Sequence, residues 1–128
     1  MVIVGQPACS GVRQRNFDFE DILKSIEKIR RYLGKASFDE FLENEMLIDS
    51  VIRNLEIIGE AASHVPPETR VKYPEIEWKK VVGLRNILIH NYSGVDLEIV
   101  WDIIKNRLDP LEAKVRQAFN EEEIHYDE

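Results

Sequence analysis

The feature that most constrains this chain is a pattern of apolar residues at alternating three- and four-residue steps, renewed in separate segments along its length. Ile22, Leu23, Ile26, Ile29, Tyr32 and Leu33 make up the first segment. At about 100° of turn per residue, such a set falls on one face of an α-helix. Gly34 supplies the stop. Ser37 and Glu40 have the spacing of a capping box, which predicts a second helix. This helix hesitates near 43–45, continues through Met46, Val51, Ile52, Leu55, Ile58 and Ala62, and ends before Pro66 and Pro67. Residues 66–70 read as one short helical connector, closed by Pro74. A third helix begins near Glu77 or Trp78, carries Val81, Val82, Leu84, Ile87 and Leu88 inward, and reaches His90. Asp96 is the expected N-cap of a fourth, with Leu97, Val100, Trp101, Ile104 and Leu108 on its inner face. Asp109 and Pro110 are expected to break it, and a fifth helix restarts at a kink and runs to Phe119.

No segment alternates β-branched with polar residues, and neither Asn-Gly nor Asp-Gly occurs. The fold expected is all-α, an up-and-down bundle of four to five helices over residues 16–120. Residues 1–15 hold Gly5, Pro7, Ser10 and Gly11 without a helical period, so they are expected to form a flexible N-terminal tail. Residues 121–128 are expected to fray as an acidic C-terminal tail.

Composition narrows what such a bundle can do. A chain of 128 residues, 44% of them hydrophobic, suits one globular domain. Cys9 is its only cysteine, which excludes an intramolecular disulfide and fits a reducing cytoplasm. The N-terminus has neither the basic residue nor the apolar run of an export signal, and no stretch approaches the roughly 18 apolar residues of a membrane span. A soluble cytoplasmic protein is expected. Net charge is −7, the wrong sign for holding long nucleic acid through phosphate neutralisation alone. Between Trp78 and Val95, however, Lys79, Lys80 and Arg85 occur with no Asp or Glu. That local basic window can admit a phosphate-bearing substrate, with Lys79 and Lys80 steering RNA or facing solvent.

His64, His90 and His125 are too scattered for a metal-ligand motif, so no metal is expected. Glycine-rich phosphate loops and a Gly-x-Ser-x-Gly elbow are both missing. What remains is the segment holding Arg85, Asn86, His90, Asn91 and Tyr92. Histidine can take a proton from a ribose 2′-OH or give one to a leaving 5′-oxygen. Arginine can grip a phosphate with two parallel hydrogen bonds and stabilise charge as it builds. Together they suit metal-independent RNA cleavage. A five-residue step turns an ideal helix by about 140°, so Arg85 and His90 do not share a face, whereas Asn86 and His90 do. A site using both Arg85 and His90 needs a distorted helix end, the reach of Arg, or a second subunit; a homodimer is favoured. Tyr92, seven residues after Arg85, would return to within roughly 20° of its face if the helix persisted.

The segment Arg85-Asn86-Ile87-Leu88-Ile89-His90-Asn91-Tyr92 resembles the signature of HEPN domains, in the version of the HepT toxins that adds a tyrosine two positions after the histidine. Asp21-Ile22-Leu23, Val51 to Ala61, and Val95 to Trp101 are similar to HepT sequence as well, as are Pro74, Trp78 and Gly83-Leu84. The resemblance covers roughly residues 13–119. The tail Met1 to Val12 departs from it.

This resemblance implies a helical HEPN homodimer acting as a ribonuclease, the toxin of a type VII HepT/MntA toxin–antitoxin system. Arg85 and His90 are then the catalytic pair, and Asn86 and Asn91 supporting polar residues. Tyr92 is the residue that a nucleotidyltransferase antitoxin of the MntA kind modifies with AMP. No cofactor is implied on this chain, since the antitoxin uses the ATP. Arg53, Glu56 and Glu60 form a polar stripe on the second helix, read either as intrahelical pairing or as groups orienting Arg85 or His90. The alternative function is a noncatalytic helical binding subunit that partners a minimal nucleotidyltransferase.

Overall fold

The computed structural model describes the backbone of residues 6–90 and 96–127, and the side chains of residues 17–85 and 96–123. Within these the chain is all-helical. Helix α1 spans Gln6–Leu33, α2 Phe38–Leu42, α3 Glu45–His64, α4 Pro67–Lys72, α5 Trp78–His90, α6 Leu97–Asp102 and α7 Leu108–Asp127. A π-helical turn, Ile103–Arg107, joins α6 to α7.

Local chemistry explains most of the boundaries. Gly34 ends α1 at φ +55°, a left-handed conformation that costs glycine nothing. The Glu40 amide donates to Ser37 Oγ (3.1 Å) and the Ser37 amide to Glu40 Oε1 (2.8 Å), which completes the capping box of α2. The hesitation expected near 43–45 is a true break. There Asn44 Oδ1 accepts from the Leu47 amide at 3.1 Å and starts α3 afresh. At the other end of α3, Arg70 of α4 donates to the carbonyls of Ala62, Ser63 and Val65 at 3.0–3.2 Å. The Ala62 carbonyl also accepts from the amide of the C-cap Val65 at 3.2 Å. Carbonyls at a helix end run short of intrahelical donors, so α4 acts as a clasp on the end of α3.

Three expectations need correction. The N-terminal segment expected as a tail without helical period up to residue 15 is helical from Gln6, where α1 starts. Pro7 stands in its first turn, where a missing amide hydrogen breaks no intrahelical bond. Asp109 and Pro110 do not interrupt the helix either, since both lie inside α7. The irregularity comes just before them, where the Leu108 amide bonds to the Ile103 carbonyl five residues back. A wider turn there re-phases the backbone ahead of a residue that cannot make the usual bond. Finally, the acidic C-terminal stretch is not frayed from 121. Glu122 is buried and accepts a 2.8 Å hydrogen bond from the Tyr73 hydroxyl, and α7 continues to Asp127.

The core lies between the long helices. Phe19, Ile22, Ile26 and Ile29 of α1 meet Val51, Leu55 and Ile58 of α3, all with no exposed surface. Burying each such side chain contributes about 1.5–3 kcal/mol. Val115 and Ala118 of α7 close the far side. The long helices pack in the order α7, α1, α3, α5, each against the next, and among the described residues α5 and α7 make no comparably close approach. No helix of the described residues is long and apolar enough to cross a membrane. Helix α5 is thus held firmly by α3 and leaves grooves on both flanks.

Candidate functional site

Arg85 is positioned by a glycine. At Gly59 of α3 an added Cβ would come within 2.9 Å of the Arg85 amide nitrogen, 3.1 Å of its Cβ and 3.2 Å of the Val81 carbonyl oxygen. Only a residue without a side chain lets α5 approach this closely. One turn of packing therefore fixes where the Arg85 backbone sits, and the side chain extends from it to the surface.

There it borders an open cleft of about 390 Å³ between α1, α3 and α5, shared with Asp18, Asp21, Arg53, Glu56, Glu60 and His64. Arg85 Nη1 donates to Glu60 Oε1 at 2.7 Å. The other Glu60 oxygen lies 3.3 Å from His64 Nε2. Glu60 therefore bridges an arginine and a histidine. Its hydrogen bond from Arg85 holds its carboxyl below the usual carboxylate range. Arg85 keeps 38% of its side-chain surface exposed, and the bond to Glu60 occupies one end of its guanidinium. An incoming phosphate can reach the remaining donors, or displace Glu60 and take both prongs.

Asp18 has a different environment. It is buried on α1 at the edge of the cleft, and burial pushes its carboxyl up to about 6, with His64 opposing the shift and Asp21 adding to it. Its charge therefore changes closer to neutral pH than that of an ordinary aspartate. Among the described residues four carboxylates and two guanidinium groups line the cleft, so it is acidic on balance, and less so when Asp18 is protonated.

The residues singled out from the sequence fall in several places. Arg53 reaches Glu56 in its own helix at 3.8 Å, and both line the cleft. Glu60, from the same stripe, turns to Arg85 instead. Lys79 and Lys80 are exposed on α5 outside the cleft, and Lys80 lies 3.5 Å from Glu77. Asn86 and His90 are on α5 with side chains outside the described residues, and Asn91 and Tyr92 lie outside them altogether. The sequence reading missed Asp18, Asp21 and His64. Asp18 meets the others only through the fold. His64 had a local signal, because it extends the stripe of Arg53, Glu56 and Glu60 by one more helical turn.

Comparisons with known proteins match this chain to a family. The family model described as "Ribonuclease HepT-like" matches residues 22–118, which include α3, all of α5 and the cleft residues other than Asp18 and Asp21. A Methanocaldococcus jannaschii protein named as a proposed RNase is 41% identical over 74% of this chain and 87% of its own length. The probable ribonuclease HepT of Thermococcus cleftensis is 38% identical over 74% of this chain and 86% of its own. The mRNA nuclease HepT of Shewanella oneidensis is 29% identical over 71% of this chain and 85% of its own. No solved structure gives a significant match.

Proposed function

Since the chain belongs to the HepT-like ribonuclease family, we propose that it is a metal-independent endoribonuclease, with Arg85 and His90 as its catalytic pair and a toxic effect on the cell that makes it. The observation that carries this reading is the placement of Arg85: its backbone is locked against Gly59 while its guanidinium stands at an open cleft. A structural arginine would instead be satisfied by surrounding carbonyls, as Arg70 is.

In the reaction, the ribose 2′-oxygen attacks the adjacent phosphorus, the bond from phosphorus to the 5′-oxygen breaks, and the 2′-OH proton leaves as the 5′-oxygen gains one. Arg85 stabilises the charge that builds on the phosphoryl oxygens, typically worth about 10²–10³ in rate for one such donor. His90 moves a proton, worth about 10²–10⁴. Asn86 and Asn91 assist as polar neighbours. The active form is a homodimer, which resolves the 140° offset between Arg85 and His90 on an ideal helix of about 100° per residue by letting a second subunit complete the site.

Control comes from a nucleotidyltransferase antitoxin of the MntA kind, in a type VII system, which joins AMP from ATP to Tyr92. The added phosphodiester brings negative charge and bulk into the site where Arg85 must meet RNA. Toxicity is then removed without unfolding the chain. The system operates in the cytoplasm, where both RNA and ATP are available.

The experiment is expression of wild type, Arg85→Ala and His90→Ala, with growth followed and RNA examined for new ends, and with each purified protein shown to be folded. Growth arrest and cleavage by the wild type only is the expected result. Identical behaviour of three folded proteins would instead favour a noncatalytic subunit that binds a nucleotidyltransferase.

A further inference from the structure

On the other flank of α5 lies a second depression, about 360 Å³, between α5, the π-helical turn and α7. It occupies the side of the bundle where α5 and α7 do not close on each other. Val81, Leu84 and Leu111 form an apolar part of its lining, and Lys80, Arg107 and Lys114 border it. All three basic side chains belong to exposed residues. Among the described residues Glu77 is the only carboxylate in the lining, 3.5 Å from Lys80. Arg107 has a loose contact of 3.9 Å with Asp102, which stands outside the lining.

The charge balance is the reverse of that in the cleft. Three cations face one carboxylate here, whereas two face four there. In a chain of net charge −7, phosphate neutralisation has to come from a local concentration of Lys and Arg. A groove with cationic edges and an apolar floor also matches the two parts of a nucleotide, since the phosphate takes the edge and the base or ribose covers the floor. Lys80 and Arg85 are five residues apart on α5, about 7.5 Å along its axis and about 140° around it. A strand can pass over the helix from one side to the other.

We propose that this groove is an RNA-holding site, separate from the cleft, which binds single-stranded RNA beside the scissile linkage through Lys80, Arg107 and Lys114. This rests on the ribonuclease reading for its biological sense, but RNA binding can be measured without cleavage. The groove provides affinity for an enzyme whose reaction cleft is too acidic to provide it.

The test is titration of a fluorescent 2′-O-methyl RNA of about a dozen nucleotides, long enough for an ordinary single-strand site, with the full-length protein at several salt concentrations. Lys80→Ala/Arg107→Ala/Lys114→Ala is compared with Lys24→Ala/Lys28→Ala/Lys35→Ala, an equal charge change on exposed residues elsewhere. Lys114→Glu alone serves as a milder variant, and thermal melting shows which proteins fold. The groove variant is expected to lose tenfold or more in affinity and to flatten the salt dependence by about 2, from about 0.7 per phosphate on single strands. Lys114→Glu should fall between it and wild type, and the control variant should stay near wild type.

Equal losses in both triple variants would overturn the proposal, because general charge would then explain the binding. So would unchanged binding in the groove variants, or a wild type that binds no RNA; an acidic protein partner would then be the better occupant. Cleavage of unmodified RNA is followed separately. A wild type that binds through the groove yet cuts nothing would sink the ribonuclease reading and leave the groove assignment standing.

Discussion

The cleft and the groove flank the same helix and are close in volume, at about 390 and 360 Å³, yet they differ in nearly everything that matters to a polyanion. The cleft has an arginine whose backbone is pinned at Gly59, a carboxylate–histidine chain leading from it, and an excess of acid. The groove has exposed lysines and arginine over aliphatic side chains. Chemistry on a phosphate needs few groups in fixed places, whereas affinity for a strand needs many charges in loose ones. A small acidic protein can meet both demands by separating them.

The largest expected effect breaks the cleft alone. Arg85→Ala or His90→Ala should lower the cleavage rate at saturating RNA by about 10²–10⁴, as losing a transition-state donor or a proton carrier does. Next is the packing beneath it. Gly59→Ala sets a methyl group against the Arg85 backbone, and overpacking of this kind costs about 1–3 kcal/mol, seen as a lower Tm and a weakened Arg85 site. Gly83→Ala on α5 meets nothing within 4 Å and should stabilise the helix by about 0.5–1 kcal/mol. Equal melting shifts in the two variants would show that no close approach fixes Arg85.

Asp18 gives a smaller effect with a definite sign. Its carboxyl holds its proton up to about pH 6 in the folded chain, against 3.8 as the ordinary value. The folded state therefore binds this proton more tightly than the unfolded one, and stability falls as pH rises from about 3.8 to about 6. Asp18→Asn should raise stability by about 1–3 kcal/mol at pH 7 and by little below pH 4, which denaturant titration at the two pH values would show. A constant difference between them would assign the effect to packing.

The smallest effect sharpens the contrast in charge. Glu60→Gln keeps an acceptor beside Arg85 and removes the negative charge with which a phosphate must compete. RNA should bind about two- to fivefold more tightly, and mostly at low salt because the pair is exposed. Weaker binding would mean that Glu60 orients Arg85 for RNA.

What could be read in advance follows from the range over which each feature is determined. The helices were legible because apolar spacing and caps act within a few residues, as Ser37 with Glu40 and Asp96 with Glu98 illustrate. The C-terminal extent of α7 was not, since an acidic run looks frayed until Tyr73, 49 residues away, is found to donate to Glu122. Pro110 misled for a related reason: its effect is absorbed by the π-helical turn before it. Arg85 stood out through its motif, but the charge of its surroundings depends on Asp18 and Asp21 of a different helix. Composition gave the sign of the whole chain and concealed two local regions of opposite balance.

The most direct test is single-turnover cleavage of one RNA, with rate and half-saturation measured separately for wild type, Arg85→Ala and the Lys80/Arg107/Lys114 triple alanine variant. The expected result is a rate at saturation lowered by about 10² or more in Arg85→Ala, and a half-saturation raised about tenfold at nearly unchanged rate in the triple variant. A full rate in folded Arg85→Ala, or a loss confined to the saturating rate in the triple variant, would contradict the assignment of chemistry to the cleft and binding to the groove.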